Sequence, residues 1–263
     1  MKLTVLSIVT FALVSLSLLT GCGGSALKAP ESARDQFEKG MRAFEKKKYM
    51  RAVEEFQVLV YNFPGTDFID SAQYYLALSY YGDRDYELAA VEFRRLVNSY
   101  PRSEFADDAQ FMAGVCYYEN TPGHYGLDQE DLKRAINALS DFTLDNPDSP
   151  LVEQAEQIIL KARSKLAKKE YRNGFLYLKM LDYQAAKIYF QYVIDEYTDT
   201  EYAARSLFKL AEIDYKMKDF SAASEKFNQF VNIYNDSELI SRANEYLEKI
   251  SIKLETSNVP DES

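Results

Sequence analysis

The chain contains no tryptophan, one histidine and only two cysteines among 263 residues. Each shortage closes a class of function. The lone histidine, His124, has neither a second imidazole nor a nearby cysteine with which to share a metal, and no catalytic partner stands at a recognisable spacing from it. With two cysteines, Cys22 and Cys116, no paired C-x-x-C zinc or redox motif can be built. Ten glycines are scattered along the chain, and no G-x-x-x-x-G-K run cradles a phosphate. Basic residues are also in short supply, 31 against 41 acids, a formal charge of −10. That balance excludes a broad electrostatic grip on nucleic acid or on anionic lipid. The sequence encodes no enzyme, metal or cofactor chemistry.

What the chain does have is 21 tyrosines and 16 phenylalanines, and they recur at fixed intervals. A pattern of aromatic, two residues, alanine, three residues, phenylalanine occurs as Tyr49/Ala52/Phe56, Tyr86/Ala89/Phe93, Tyr183/Ala186/Phe190 and Phe220/Ala223/Phe227. Leu132/Ala135/Leu139 is a degenerate copy. The alanines are separated by 37, 46, 51 and 37 residues, so a 37-residue unit carries excesses of 9 and 14. A small residue precedes four of the alanines by twelve positions, at Gly40, Ala77, Gly174 and Ala211. In the third copy it is Gly114, with the 9-residue excess between it and Ala135. The spacings of three and four within each segment predict amphipathic helices in pairs. A pair this small cannot bury its own apolar face and must stack on copies of itself. These offsets, with Pro64 and Pro101 ending the first two copies, resemble the tetratricopeptide repeat. The resemblance implies an all-α, right-handed solenoid of five helical hairpins, closed by a C-terminal capping helix.

In chain order, residues 1–21 read as a secretory leader: Lys2, then an uncharged, mostly apolar run from Leu3 to Leu19. Leu19-Thr20-Gly21-Cys22 resembles a bacterial lipobox, which implies cleavage before Cys22 and a covalent lipid on it. Several acyl chains suffice for stable anchoring, and Gly23 resembles an outer-membrane sorting signal. Cys116, then without a disulfide partner, reads as a small buried hydrophobe. Residues 22–32 form a short linker, which holds the solenoid close to the membrane. Repeats one to three span 33–147, with a loop insertion at 118–130. A long linking helix, repeats four and five and the capping helix span 148–254, and 255–263 read as a disordered tail. The long helix carries a basic run, Lys161, Arg163, Lys165, Lys168, Lys169 and Arg172, which is either a solvated face or meets an acidic partner.

Two columns of apolar residues line one face of the first helices. Three positions before each small residue stand Phe37, Tyr74, Phe111, Tyr171 and Phe208, and four after it stand Phe44, Tyr81, Tyr118, Leu178 and Tyr215. A neighbouring column contributes Leu78 and Phe175. These residues either pack between hairpins or line a groove for an extended peptide with aromatic side chains. On the groove reading the peptide residues are Phe37, Phe44, Tyr74, Leu78, Tyr81, Phe111 and Tyr118.

The lipobox, linker, five repeats, irregular third repeat and long helix, with Leu166-Ala167-Lys168-Lys169-Glu170-Tyr171 followed by Gly174-Phe175-Leu176-Tyr177, are similar to the BamD (YfiO, ComL) family of β-barrel assembly lipoproteins. That resemblance implies a lipid-anchored scaffold at the periplasmic leaflet of the outer membrane. It implies that the N-terminal repeats bind C-terminal signals of unfolded outer-membrane proteins. The C-terminal repeats would bind the barrel-forming assembly subunit, with accessory lipoproteins as further partners. Tyr171, Phe175, Tyr189, Phe208 and Tyr215 are then the candidate subunit interface. The chain departs from the family at Met180-Leu181, where Arg-Gly is usual, and at Tyr189, where Arg is frequent. The alternative is a periplasmic repeat adaptor in cell-wall synthesis or division, although no coiled-coil segment precedes the repeats.

Overall fold

The computed structural model describes residues 32–257, and the leader, Cys22 and the linker up to residue 31 lie outside the described residues. Eleven helices and no strand occur among the described residues. They are α1 (Ala33–Glu45), α2 (Tyr49–Asn62), α3 (Ile69–Gly82), α4 (Tyr86–Ser99), α5 (Ala106–Glu119), α6 (Glu130–Asp145), α7 (Val152–Lys179), α8 (Tyr183–Glu196), α9 (Glu201–Lys216), α10 (Phe220–Ile233) and α11 (Ile240–Ser257). Each helix packs on the next in sequence, and first helices also touch one another across repeats, as in α1 with α3 and α7 with α9. This is a tetratricopeptide-type helical solenoid, in which a unit contacts its neighbours and little else.

The repeat signature explains the packing. The five alanines, Ala52, Ala89, Ala135, Ala186 and Ala223, are fully buried, as are Phe56, Phe93, Leu139, Phe190 and Phe227. The large side chain presses on the small residue of the preceding helix. A Cβ added to Gly40 would stand 2.6 Å from the Phe56 ring, and one on Gly114 2.6 Å from Leu139. Glycine is therefore needed there for close approach. Between first and second helices the chain turns through a left-handed residue, at Lys47, Arg84, Leu181 and Lys218. Backbone bonds of the Schellman type close the turn, as in Lys47 N–H to Phe44 O and Lys48 N–H to Ala43 O. In three repeats an aspartate then caps the second helix, Asp85, Asp182 and Asp219 accepting from Leu88, Ala185 and Ala222. None of the four left-handed residues is glycine, and Leu181, with a φ of 62°, has no polar group to offset the strain. Leu181→Gly is expected to raise unfolding stability by about 0.5–1 kcal/mol. A denaturation midpoint shifted upward at constant m-value checks this.

Two boundaries differ from the sequence reading. The third-repeat insertion is shorter than 118–130, because α5 continues to Glu119 before Asn120, Pro122 and Gly123 stop it. The C-terminal helix runs to Ser257, beyond Leu254, since no glycine or proline intervenes before Pro260. Residues 258–263 lie outside the described residues. The long helix is 28 residues, about 42 Å at 1.5 Å per residue, and its last turns double as the first helix of repeat four. Its middle is pinned by Arg163, which donates to both Asp199 oxygens at 2.8–3.0 Å and to the Glu196 carbonyl at 2.7 Å. The Arg163 guanidinium holds the Asp199 carboxyl below its usual range. This anchor is therefore complete at neutral pH and fades as pH falls through the lowered value.

Buried polar pairs repeat as well. Gln36 donates to Glu55 at 2.7 Å, and Gln73 to Glu92 at 2.7 Å, joining the two helices of repeats one and two. These pairs are polar and fall outside the apolar columns, although Gln36, Gln73 and Gln110 are themselves 37 apart.

Candidate peptide-binding face

The first aromatic column is built into the packing. Phe37 meets Phe56 and Phe68 edge-on at 5.8 and 5.3 Å. Tyr74 stacks on Phe105 at 4.7 Å and meets Phe93 at 5.8 Å. Burial pushes the Tyr74 phenol up to about 12, with Asp108 adding to it. Phe111 is 5 % exposed and lies 5.6 Å from Phe142. It belongs to the core between α5 and α6, and a bound peptide could reach no more than its edge. Phe111→Ala would therefore lower stability as well as any binding.

The second column is more accessible. Phe44 meets Tyr49 and Tyr75 edge-on and, with Leu78, is half-buried against the core of the first two repeats. Tyr81 and Tyr118 are half-buried and stand over a cavity of about 360 Å³ where α3, α5 and α7 meet. Its walls are Tyr81, Phe111, Met112, Val115, Tyr118 and Glu119 on one side, and Gln154, Gln157, Ile158 and Lys161 of α7 on the other. Three of the seven residues assigned to the groove, Tyr81, Phe111 and Tyr118, thus meet in one place. Phe37, Phe44, Tyr74 and Leu78 do not line it. Burial raises the Tyr81 phenol, with Glu119 adding to the effect, so the hydroxyl stays neutral and can donate a hydrogen bond. Lys165 sits 3.9 Å over the Tyr118 ring, a close cation–π contact. Ile158 and Lys161 could not be placed here by pattern alone. Only the α7 backbone, lying over repeat three, carries them to α5.

A wider cleft of about 660 Å³ lies between α4, α5 and α6, lined in part by Arg94, Tyr117, Arg134, Leu144 and Asp145. Its polar groups are largely satisfied: Arg134 pairs with Asp131 and lies 4.1 Å over Tyr117, and Gln110 donates to Asp145. The smaller cavity is the better candidate because the aromatic column converges on it, with Tyr81, Phe111 and Tyr118 beside Met112 and Ile158, while Glu119, Gln154, Gln157 and Lys161 supply polar groups.

In the C-terminal half, Tyr171 lies between Phe190 and Tyr202, at 5.4 and 5.6 Å, with Phe175 beside it. Tyr189 stacks on Tyr177 at 5.3 Å. Two members of the proposed subunit interface are placed elsewhere. Phe208, 1 % exposed, is enclosed by Phe227, Phe230 and Tyr246, and cannot touch a partner. Tyr215 is half-buried against Phe220 and Tyr246. The exposed apolar side chains here are instead Leu176 of α7, Met180 and Leu181 of the turn that follows, and Ile188 of α8, with Tyr192 of α8 against Tyr197. Ile188 and Tyr192, four residues apart, fall on one face of α8, and Leu181 lies in the turn before it.

Cys116 is fully buried, and burial pushes its thiol up to about 12. It is expected to resist alkylation at pH 8 in the folded chain and to react once denaturant is added, read by intact mass. Among the described residues no group of three or more His, Cys, Asp or Glu is placed to hold a metal ion. His124 is exposed and stacks on Tyr125 at 4.7 Å.

The solenoid and its first-helix cavity define an α-helical repeat protein of the tetratricopeptide class. The chain belongs to the YfiO family of outer membrane lipoproteins, whose model matches residues 30–226. No curated protein matches it. Solved structures similar to it include a thermophilic tetratricopeptide protein of Thermus thermophilus, 17 % identical, covering 82 % of this chain and 99 % of that one, with a TM-score of 0.35. The TPR2AB domain of yeast Sti1 in its pHSP90 complex is 16 % identical, with 84 % of each chain covered and a TM-score of 0.42. Pseudomonas aeruginosa PilF is 15 % identical, covering 86 % and 92 %, with a TM-score of 0.31. No helix among the described residues is long and apolar enough to cross a membrane.

Proposed function

We propose that the chain is a non-enzymatic scaffold in outer-membrane β-barrel assembly, tethered by lipid on Cys22 to the periplasmic leaflet. Its first-helix face receives segments of unfolded outer-membrane proteins, and repeats four and five dock the barrel-forming assembly subunit, with accessory lipoproteins alongside. The observation that carries the reading is the cavity of about 360 Å³ between Tyr81, Met112, Tyr118 and Ile158. Its size suits one aromatic side chain of an extended peptide. Burying such a side chain contributes about 1.5–3 kcal/mol before the costs of association, which gives the modest affinity expected of a hand-over step. The apolar surface at Leu176, Met180, Leu181 and Ile188 supports subunit docking in the C-terminal half.

The test is binding of a fluorescent peptide copied from the last strand of an outer-membrane protein and ending in an aromatic residue. Ile158→Arg or Met112→Arg is expected to weaken binding about tenfold or more, because a charge replaces apolar wall. Both side chains are only half-buried, so thermal melts should change little. Unchanged binding with intact folding would remove the cavity from the account.

A further inference from the structure

Four cations follow one another along a single face of α7. Lys161, Lys165, Lys168 and Arg172 are spaced by four, three and four residues, and all are exposed. That spacing sets them on one stripe, about 16 Å from first to last at 1.5 Å per residue. None forms an ion pair among the described residues. The chain as a whole carries 41 acids to 31 bases. Some surface cations find carboxylates within their own helix, as Arg51 does with Glu55, Lys133 with Glu130 and Arg205 with Glu201, and others, such as Lys46, Arg84 and Arg102, stand singly; the α7 cations differ in that four of them share one face. A stripe left unmatched amid surplus acid is poised for negative charge from outside.

The stripe begins at the cavity. Lys161 is part of its wall, and Lys165 covers the Tyr118 ring at its edge. Beyond Lys168, Arg172 is near enough to Tyr171 and Tyr202 for its charge to act on both phenols. The cations therefore lead from the cavity in repeat three toward the first helices of repeats four and five. We propose that the stripe reads side-chain carboxylates of an extended peptide segment whose aromatic residue occupies the cavity, a specificity that presupposes the cavity binds peptide as proposed above. The dimensions match. Alternate side chains of an extended chain are about 6.6 Å apart, and cations four residues apart on a helix are about 6 Å apart. A segment patterned aromatic, any, acid, any, acid, any, acid can place one aromatic in the cavity and three successive acids along the line of Lys161, Lys165, Lys168 and Arg172. Each contact is exposed and individually weak, so the preference depends on several acting together and fades with salt.

The test uses the full chain in detergent and fluorescein-labelled, C-terminally amidated peptides read by anisotropy. One has the sequence Phe-Thr-Asp-Thr-Asp-Thr-Asp-Thr and the other carries Asn in place of each Asp. The Asp peptide is expected to bind about tenfold more tightly at low salt, with the advantage shrinking as salt rises. Lys168→Gln/Arg172→Gln, both outside the cavity wall and exposed, should shrink the difference severalfold while the Asn peptide binds as before and the melting temperature is unchanged. Equal binding of both peptides would overturn the stripe and leave the cavity standing. Binding of neither would remove the cavity reading and the stripe with it. If an Asn peptide with a free C-terminal carboxylate binds as tightly as the amidated Asp peptide, the cations read a chain end and the side-chain assignment is wrong.

Discussion

Phe93→Ala is expected to destabilise the chain by about 3–5 kcal/mol, because it empties the centre of repeat two. Phe93 is fully buried on α4, lies 5.8 Å from the Tyr74 ring of α3, and belongs to the core shared by repeats one to three. A solenoid has no distant layer to collapse into the space, so the cavity stays open and the units on either side lose their contact. Chemical denaturation should show a lower midpoint, and hydrogen exchange should rise first in α3 to α6. Loss of less than about 1 kcal/mol would mean that the aromatic–alanine signature does not hold the hairpins together.

The second large effect is electrostatic and falls in the other half. Asp214 on α9 is fully buried and pairs with Lys187 of α8 and with Lys226 of α10, the latter at 2.8 Å. One carboxylate thus ties three consecutive helices. Removing both lysines in Lys187→Ala/Lys226→Ala leaves an uncompensated charge inside the protein. The expected cost is about 3 kcal/mol, at the low end for a broken buried pair because water reaches both lysine side chains. Adding Asp214→Asn to the double variant should restore part of the loss, since a neutral amide is cheaper to bury than a charge. If the triple variant melts no higher than the double, the effect comes from lost packing of the lysine stems and not from charge.

Much of the fold was legible because it is written in side-chain size. The Ala52, Ala89, Ala135, Ala186 and Ala223 series needs only counting, and each of these residues is fully buried. The turns were less visible. A glycine commonly marks a left-handed residue, yet Lys47, Arg84, Leu181 and Lys218 occupy those positions here. Three of the four are followed by a capping aspartate, at Asp85, Asp182 and Asp219, and that was the available signal.

The aromatic columns show where sequence reasoning stops. Period alone puts Phe111 and Tyr118 on the same face, but it does not separate a residue 5 % exposed from its half-buried neighbour two turns on. Which one faces a ligand depends on how α7 lies over repeat three, a tertiary fact. Phe208 was misassigned to an interface for the same reason: α11 covers it through Tyr246. Conversely, Leu181 and Ile188 stand at repeat positions that are exposed in repeat two as well, at Arg84 and Val91, so their exposure follows from the repeat itself.

The measurement that bears most directly on the scaffold reading is crosslinked capture of the native lipoprotein from solubilised outer membrane, followed by mass spectrometry of what comes with it. The account predicts the barrel-forming assembly subunit in near-equal amount, and its loss when Ile188→Arg is introduced on the exposed α8 face. Capture of cell-wall synthesis or division proteins, with the barrel-forming subunit absent, would contradict it.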